Sequence, residues 1–465
     1  MAVALSLKKT DKEIKKKVIS EFRVTPKKTQ FITNPEPLFI FCVNQNEGNL
    51  YIPMGVYGDF IRKTERGKIF SETLGSEFPN YNQPRIKAKP KFELLTKETD
   101  PLDRGRDQDV VFKKAMKRLE KYHTVFISCF TGFGKTKEAI YILLKLGYKA
   151  GILCHNDTIK GQWKDELSES ADVKVQIVNG NQKFKEDADV YIIGILKAKN
   201  LTREDVKHIG TVIIDEAHIC TISAFTCSLL KFQPKYLIGL SATPERSDGL
   251  QNLLTFYFGP KEKFIVREEI KNFTVIKYTT KYTPDISYNY FQGETVLAWS
   301  DMMTSIAEIK ERQIEIADIA IKYNTQKIIL ICDRVIMAKN IFNYLEEKGE
   351  SAVLFIENQK TWDKSKRILI TTTQKGGVGL NDPKLTMLIL AADMKNVKQC
   401  EGRIRTTNNI VIDIVDDYDT FERHYSLREK WYMKRGAVIK YGGTSEGLQD
   451  KSIEVPTRFL KPLPE

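Results

Sequence analysis

Two series of short apolar runs restrict the folds open to this chain more than any other feature. The first series occupies residues 125–127, 151–154, 190–193, 212–214 and 237–240, and the second 328–331, 353–356, 368–370, 387–390 and 411–414. Each run is continuous rather than alternating, so a strand built from it is covered on both faces. Helical patterns lie between the runs. Covered strands alternating with helices form parallel sheets, and two series predict an α/β chain of two parallel-sheet lobes in tandem. The stretch 260–323 finishes the first lobe and crosses to the second, with a helix predicted over 302–321.

The N-terminal residues read differently. Residues 8–28 are lysine-dense, and Ile14, Val18 and Phe22 recur at helical spacing, which predicts a short amphipathic helix. Residues 38–43 read as a strand, 46–49 as a turn and 50–52 as the return strand of a β-hairpin. A polar, proline-punctuated stretch follows over 76–103. The expected division is a small β-containing accessory domain over 1–98, the first lobe over 99–260, a linker with the second lobe over 261–436, and a tail over 437–465.

The first apolar run leads into Ser128-Cys129-Phe130-Thr131-Gly132-Phe133-Gly134-Lys135-Thr136, and a helical pattern with Ala139, Ile140, Leu143 and Leu144 on one side comes next. Strand, glycine loop, Lys-Thr and helix form the context of a phosphate-binding loop. Gly132 and Gly134 let the backbone of Thr131–Thr136 curl so that its N–H groups face phosphate oxygens, and the helix start adds its positive end. Lys135 would reach the terminal phosphates and the Thr136 hydroxyl would hold Mg²⁺. Cys129 stands where the full G-x-x-x-x-G-K-[ST] pattern has its first glycine.

Three further groups follow apolar runs. Asp215 ends the run 212–214, where a carboxylate can face the phosphate loop and share the metal. Glu216 beside it is a candidate base for the attacking water. Ser241-Ala242-Thr243 ends the run 237–240, and its hydroxyls can bond Asp215 or His218 and report phosphate state.

A net charge of +13 favours a polyanionic partner, nucleic acid first. The seven cysteines are scattered without a C-x-x-C pair, which predicts free thiols in a reducing compartment. No apolar run approaches the ~20 residues of a membrane helix, so the chain is expected to be soluble and intracellular.

The sequences TGFGKT, DEAH and SATP, in this order, resemble a superfamily 2 helicase core over roughly residues 105–435. Gln399-Cys400-Glu401-Gly402-Arg403-Ile404-Arg405 resembles that family's arginine-finger motif, which implies Arg403 as the finger, Arg405 as a second arginine and Gln399 as a coupling residue with His218, Ser241 and Thr243. Residues 371–380 resemble the motif linking nucleotide to strand; they supply Thr372 and Gly379, while Asn381 stands in place of the family's aspartate. The same resemblance implies Gln108 as the adenine reader and His155 and Arg334 as strand contacts. Residues 239–250 resemble the branch of the xeroderma-B-type helicase and phage recombination helicases. Arg428, Tyr432, Lys434 and Arg435 resemble the C-terminal end of helicases from large DNA viruses, the poxvirus transcript-release type among them. The family implies two RecA-like lobes, ATP and Mg²⁺ as cofactors, and monomeric 3′-to-5′ movement on DNA or an RNA–DNA hybrid. It implies a role in viral or phage transcription, replication or recombination, with transcription or replication proteins as partners and the host cytoplasm, viral factory or virion as location. A double-stranded DNA translocase, a nucleotide-gated binding protein without turnover and a nuclease motor subunit remain alternatives.

Overall fold

The computed structural model describes residues 2–6, 16, 20, 22–25, 36–57, 86–100, 106–130, 132–180, 182–220, 228–242, 252–268, 272–291, 294–357, 359, 361–376, 380, 382–404 and 409–443. The chain divides into two compact units, Met1–Arg267 and Glu268–Glu465.

The first unit begins with a three-stranded antiparallel sheet of β1 (Ala2–Ser6), β5 (Asn49–Pro53) and β4 (Cys42–Asn44), in the order β1-β5-β4, while β2 (Arg23–Val24) pairs with β3 (Leu38–Phe39). The expected hairpin over 38–52 is present as β4 and β5. The expected helix over Ile14, Val18 and Phe22 lies largely outside the described residues; Phe22 itself sits in a turn and is fully buried.

The main sheet of this unit has seven parallel strands. They are β6 (Thr124–Cys129), β7 (Ala150–Cys154), β8 (Val175–Val178), β9 (Val190–Gly194), β10 (Thr211–Ile214), β11 (Tyr236–Ser241) and β12 (Ile265–Arg267), in the order β12-β6-β11-β10-β7-β9-β8. Every residue of β6, β7 and β10 is buried, as continuous apolar runs require. Helices α1 (Gln108–Tyr122), α2 (Lys135–Leu146) and α3 (Asp157–Ser170) connect or flank these strands. Helix α1 buries Val111, Ala115 and Leu119 along one stripe. The Asn156 side chain caps α3 by accepting from the Ile159 N–H at 2.9 Å.

The described residues of 1–98 pack onto the main sheet's core. Phe22, Val24, Ile40, Leu50, Ile52 and Met54 share one apolar cluster with Phe126, Leu237, Leu254, Tyr257 and Phe258 of the main sheet's surroundings. Gly55 marks the closest approach: a Cβ there would lie 2.5 Å from the Gly259 nitrogen and the Tyr257 carbonyl carbon. The first sheet also runs past residue 260, because β12 pairs with β6.

The second unit carries seven parallel strands as well. They are β13 (Phe273–Thr279), β16 (Ile328–Cys332), β17 (Ala352–Phe355), β18 (Ile368–Thr372), β19 (Met387–Ala391), β20 (Asn409–Val415) and β21 (Ala437–Gly443), in the order β17-β18-β16-β19-β20-β13-β21. Residues 437–443 are therefore a sheet strand and not part of a tail; β21 pairs with β13 from Phe273↔Ala437 to Thr279↔Gly443. A separate antiparallel hairpin joins β14 (Tyr288–Phe291) to β15 (Glu294–Leu297). Helices α4 (Trp299–Glu308), α5 (Lys310–Lys322), α6 (Val335–Glu347) and α7 (Asp419–Lys434) flank the sheet. The single helix expected over 302–321 is broken at Ile309, whose ψ of 110° is extended. The two-lobed α/β architecture with two parallel sheets in tandem is thus the RecA-like arrangement expected. No described helix is long and apolar enough to cross a membrane.

Candidate active site

The carboxyl ends of β6, β10 and β11, adjacent strands of the first sheet, bring the sequence motifs of this unit together. After β6 the loop turns through Gly132 (φ 85°) and Gly134 (φ 95°), a region that residues with a Cβ rarely adopt. Phe133 between them is buried edge-on against Phe130. Helix α2 starts at Lys135, so the loop delivers its backbone N–H groups at a helix N-terminus. The Lys135 ammonium donates to the carbonyls of Cys129 at 2.8 Å and Phe130 at 3.3 Å. These are neutral acceptors, and a charged phosphate oxygen makes a stronger bond to the same ammonium.

Gln108 grips this loop from below. Its amide N–H donates to the Phe133 carbonyl at 2.8 Å, and its carbonyl accepts from the Leu95 N–H at 3.0 Å. The φ of 95° favours glycine at 134, and a Cβ there, 2.3 Å from the Gln108 amide nitrogen, would push that amide from its place. The residue expected to read adenine is therefore also a strut between the loop and the segment before α1.

Asp215 follows β10 and is half-buried. It accepts from the Trp163 indole N–H at 2.8 Å and from the Glu216 N–H at 2.9 Å. Burial raises its pKa, and the neighbouring Glu216 charge adds to that; the Trp163 hydrogen bond and the Lys135 charge pull the other way. Lys135 and Asp215 are thus within electrostatic reach of one another. Glu216 adopts φ 45°, uncommon for a residue with a Cβ and the kind of strain found at functional turns. His218 Nδ1 lies 2.8 Å from Ser241 Oγ and 3.5 Å from Glu216 Oε2, and Ser241 Oγ lies 3.5 Å from the same carboxylate. Ser241 therefore meets His218 and also reaches the Glu216 carboxylate, a contact that does not follow from the sequence.

His155, expected as a strand contact, is half-buried, with Nε2 3.0 Å from the Asn156 amide nitrogen. Burial lowers its pKa, opposed by the Asp215 charge, so the ring is neutral at physiological pH and faces the acidic cluster.

In the second unit Arg334 has protein partners. Its guanidinium donates to Thr304 Oγ1 at 3.1 Å and to the Ser300 carbonyl at 2.9 Å, and pairs with Asp333. It fastens α4 to the end of β16 and does not present an open fork. Thr372 ends β18 and is buried. Arg403 is half-buried and donates to the Leu380 carbonyl at 2.9 Å. Thr131, Thr243, Gly379 and Arg405 lie outside the described residues, as does the side chain of Gln399.

Sequence reasoning passed over Glu138, one turn into α2. It is fully buried, and among the described residues neither carboxylate oxygen has a hydrogen-bond partner. Asp107, itself paired with Arg267 at 2.9 Å, lies close enough to act on it. Burial first, then the Asp107 charge, hold its pKa well above the ordinary 4.5. No signal in the sequence marked it: Glu138 falls on the side of the predicted helix opposite Ala139, Ile140, Leu143 and Leu144, where a surface helix turns to water. The folded chain keeps a proton that the unfolded chain releases, so stability is highest below about 4.5 and falls as pH rises until the folded group ionises too. Glu138→Gln is expected to raise the melting temperature at pH 7 by a few degrees, on the order of 2–4 °C per kcal/mol in a unit of this size. The gap should close in acid. A constant gap across pH, measured by thermal unfolding, would remove the buried-proton reading.

Residues 104–246 match the family described as "Type III restriction enzyme, res subunit". A protein named as helicase 161L in Invertebrate iridescent virus 6 is 35% identical over 372 residues, covering 72% of this chain and 81% of its own length. A protein of Acanthamoeba polyphaga mimivirus named as an ATP-dependent RNA helicase is 27% identical, covering 95% of this chain and 86% of its own length. Among solved structures, S. cerevisiae Dbp5 bound to RNA and ADP BeF3 is 14% identical with a TM-score of 0.48, covering 72% of this chain and 89% of that one. With its loop, acidic pair and serine on adjacent strand ends, and a relative that it matches over most of both lengths, this chain belongs to the superfamily 2 helicases of large DNA viruses and bacteriophages, which are ATP-dependent enzymes.

Proposed function

We propose that the chain couples ATP hydrolysis to 3′-to-5′ movement along a nucleic-acid strand, on DNA or an RNA–DNA hybrid, in viral or phage transcription, replication or recombination. The observation that carries this reading is the gathering of Lys135, Asp215, Glu216, His218 and Ser241 at three adjacent strand ends, the lysine acting on Asp215 through its charge and Glu216, His218 and Ser241 meeting through side-chain contacts. Such a series would join phosphate binding at one end to the histidine and serine at the other.

Backbone N–H groups of 131–136 and the Lys135 ammonium would hold the phosphates. Glu216 would orient the attacking water and accept its proton. Gln108 would sense the nucleotide through the loop carbonyl that it already binds. His218 and Ser241, with Thr243 and Gln399, would pass the state of the site onward. Arg403 would stabilise charge on the transferring phosphoryl group, with Arg405 beside it. Thr372, Gly379, His155 and Arg334 would order the strand-facing segments, Arg334 through α4.

A divalent cation fits the donor set. The Thr136 hydroxyl and the Asp215 carboxylate are oxygen ligands of the kind Mg²⁺ takes, and it characteristically uses one or two protein groups with substrate phosphates. Among the described residues no group of three or more His, Cys, Asp or Glu side chains is placed to hold a metal ion by itself. When bound, Mg²⁺ supplies charge neutralisation at the phosphates.

The test is ATP turnover across single-stranded DNA, duplex DNA, branched DNA, RNA and hybrid, with binding measured as salt is varied. Turnover should rise with at least one of them, and log affinity should fall linearly and steeply with log salt, with a slope of about −0.7 per phosphate contacted for a single strand. Hydrolysis indifferent to every nucleic acid, or a flat salt profile, would defeat the motor reading. Strand displacement on forked and blunt duplexes then divides a helicase from a double-stranded DNA translocase.

A further inference from the structure

We propose that the β14–β15 hairpin is a stacking platform for single-stranded nucleic acid, built from the rings of Tyr288 and Tyr290. This rests on the nucleic-acid motor reading above and adds a binding element that none of the sequence motifs contains.

Tyr288 is 63% exposed and Tyr290 79% exposed. Every residue of 285–290 is exposed, so the strand stands clear of the body on both faces and packing does not account for two large rings. Residues two apart on a strand project from the same face, which puts both tyrosines on one side. Their backbone separation is roughly 6.6–6.8 Å, twice the rise of a strand. That matches about two nucleotide steps of 3.4 Å, so one base fits between the rings or one stacks on each outer face.

The charge of the hairpin narrows the kind of contact. From 286 to 297 the sequence holds one charged residue, Glu294, and no Lys or Arg. Such a surface offers phosphates no full positive charge, and the ring faces are its largest means of binding. Tyrosine supplies that area at a low entropy cost, having only two χ angles to fix.

The hairpin is also anchored beside the expected strand contacts of its own unit. The Asp285 N–H donates to Ser305 Oγ and the Ala298 N–H to the Ser287 carbonyl, both at 2.9 Å, and Leu297 packs on a core containing Met302, Ile306 and Phe421. Helix α4, which receives the Ser305 contact, is the helix that Arg334 holds from the end of β16. The platform and Arg334 are therefore fixed to one rigid element.

The experiment compares the full wild-type chain with Tyr288→Ala/Tyr290→Ala and Tyr288→Phe/Tyr290→Phe, using oligo-dT, oligo-U and an oligonucleotide containing a fluorescent adenine analogue. The alanine pair should bind about fivefold or more weakly for each ring removed. The phenylalanine pair should stay within about twofold of wild type, because stacking uses the ring and not the hydroxyl. The salt slope should be unchanged, since no phosphate contact is lost. Quenching of the analogue should appear with wild type and fade with the alanine pair, while ATP turnover without nucleic acid stays at the wild-type level. Wild-type strand affinity in the alanine pair overturns the platform alone, and so does a lost affinity that carries the salt slope down with it. Self-association of the wild type that vanishes in the alanine pair, with strand binding intact, makes the patch a contact between copies and overturns it too. A wild-type chain that binds no strand overturns the motor reading and this proposal together.

Discussion

Lys135→Ala is expected to lower ATP turnover by about 10³-fold or more while nucleotide-free binding to a nucleic-acid strand stays within about twofold of wild type. The loop after β6 can still present backbone N–H groups, because Gly132 and Gly134 hold their left-handed φ without help from the lysine. What disappears is the full positive charge at the phosphates. Removal of one neutral donor from a preorganised site already costs about 10²–10³ in rate, and a charged one is worth more in a site screened from water. The substitution also takes away a charge that opposes the raised pKa of Asp215, so that carboxyl should hold its proton to higher pH. Binding in the absence of nucleotide is expected to persist because the ammonium points at the carbonyls of Cys129 and Phe130, within the loop. Steady-state turnover and a strand-binding titration on the same preparation separate the two effects. Turnover within tenfold of wild type (about 1.4 kcal/mol of barrier) would leave the phosphate loop without its assigned lysine.

Much of this site was legible because its residues sit where parallel strands end. Continuous apolar runs located β6, β10 and β11, and the glycines after β6 have no role that a residue with a Cβ fills as well. The strands at one side of the second sheet were harder to read. In β13 the burial alternates in part along Phe273–Thr279, and its partners β20 and β21 lie far along the chain, so neither pattern nor proximity marked it. The break at Ile309 carries no proline or glycine; it is imposed by packing, with Gln313 donating to the Ala307 carbonyl across it at 2.7 Å. Side-chain partners were least legible of all. An arginine after a strand reads as an open contact, whereas Arg334 bonds to residues 300 and 304 on α4. Gln108 was placed at the nucleotide by resemblance, yet its bonds to Leu95 and Phe133 depend on how two distant backbone segments meet. A carboxyl such as Glu138 gives the same letter in the sequence whether it faces water or apolar side chains.

Asp413→Ala is expected to destabilise the second unit by about 3–5 kcal/mol, the cost of leaving a buried charge without its partner. Asp413 is fully buried on β20 and accepts both arms of Arg428, from Nε at 2.8 Å and Nη2 at 2.9 Å, together with the Tyr432 hydroxyl at 2.9 Å. Arg428 is buried as well, and its third nitrogen reaches Asp393 at 3.1 Å. Asp393 also meets His424, so β20, α7 and the segment after β19 are joined through two carboxylates. Alanine leaves the guanidinium with one carboxylate and the tyrosine hydroxyl with no acceptor in this cluster. At about 2–4 °C per kcal/mol the transition of this unit should move down by roughly 10 °C. The effect should reach the candidate finger, since Arg435 just after α7 pairs with buried Glu401 at 3.1 Å and Glu401 precedes Arg403 by two residues. Stimulated ATP turnover should then fall before global unfolding begins. The double variant Asp413→Leu/Arg428→Met removes both charges, and most of the lost stability should return because an apolar pair of similar volume carries no desolvation penalty. Thermal unfolding followed on wild type, Asp413→Leu, Arg428→Met and the double variant closes the cycle and gives the coupling energy. A single variant as stable as wild type, or a double variant no better than the single, would mean that the buried carboxylate is not what holds α7 to its sheet.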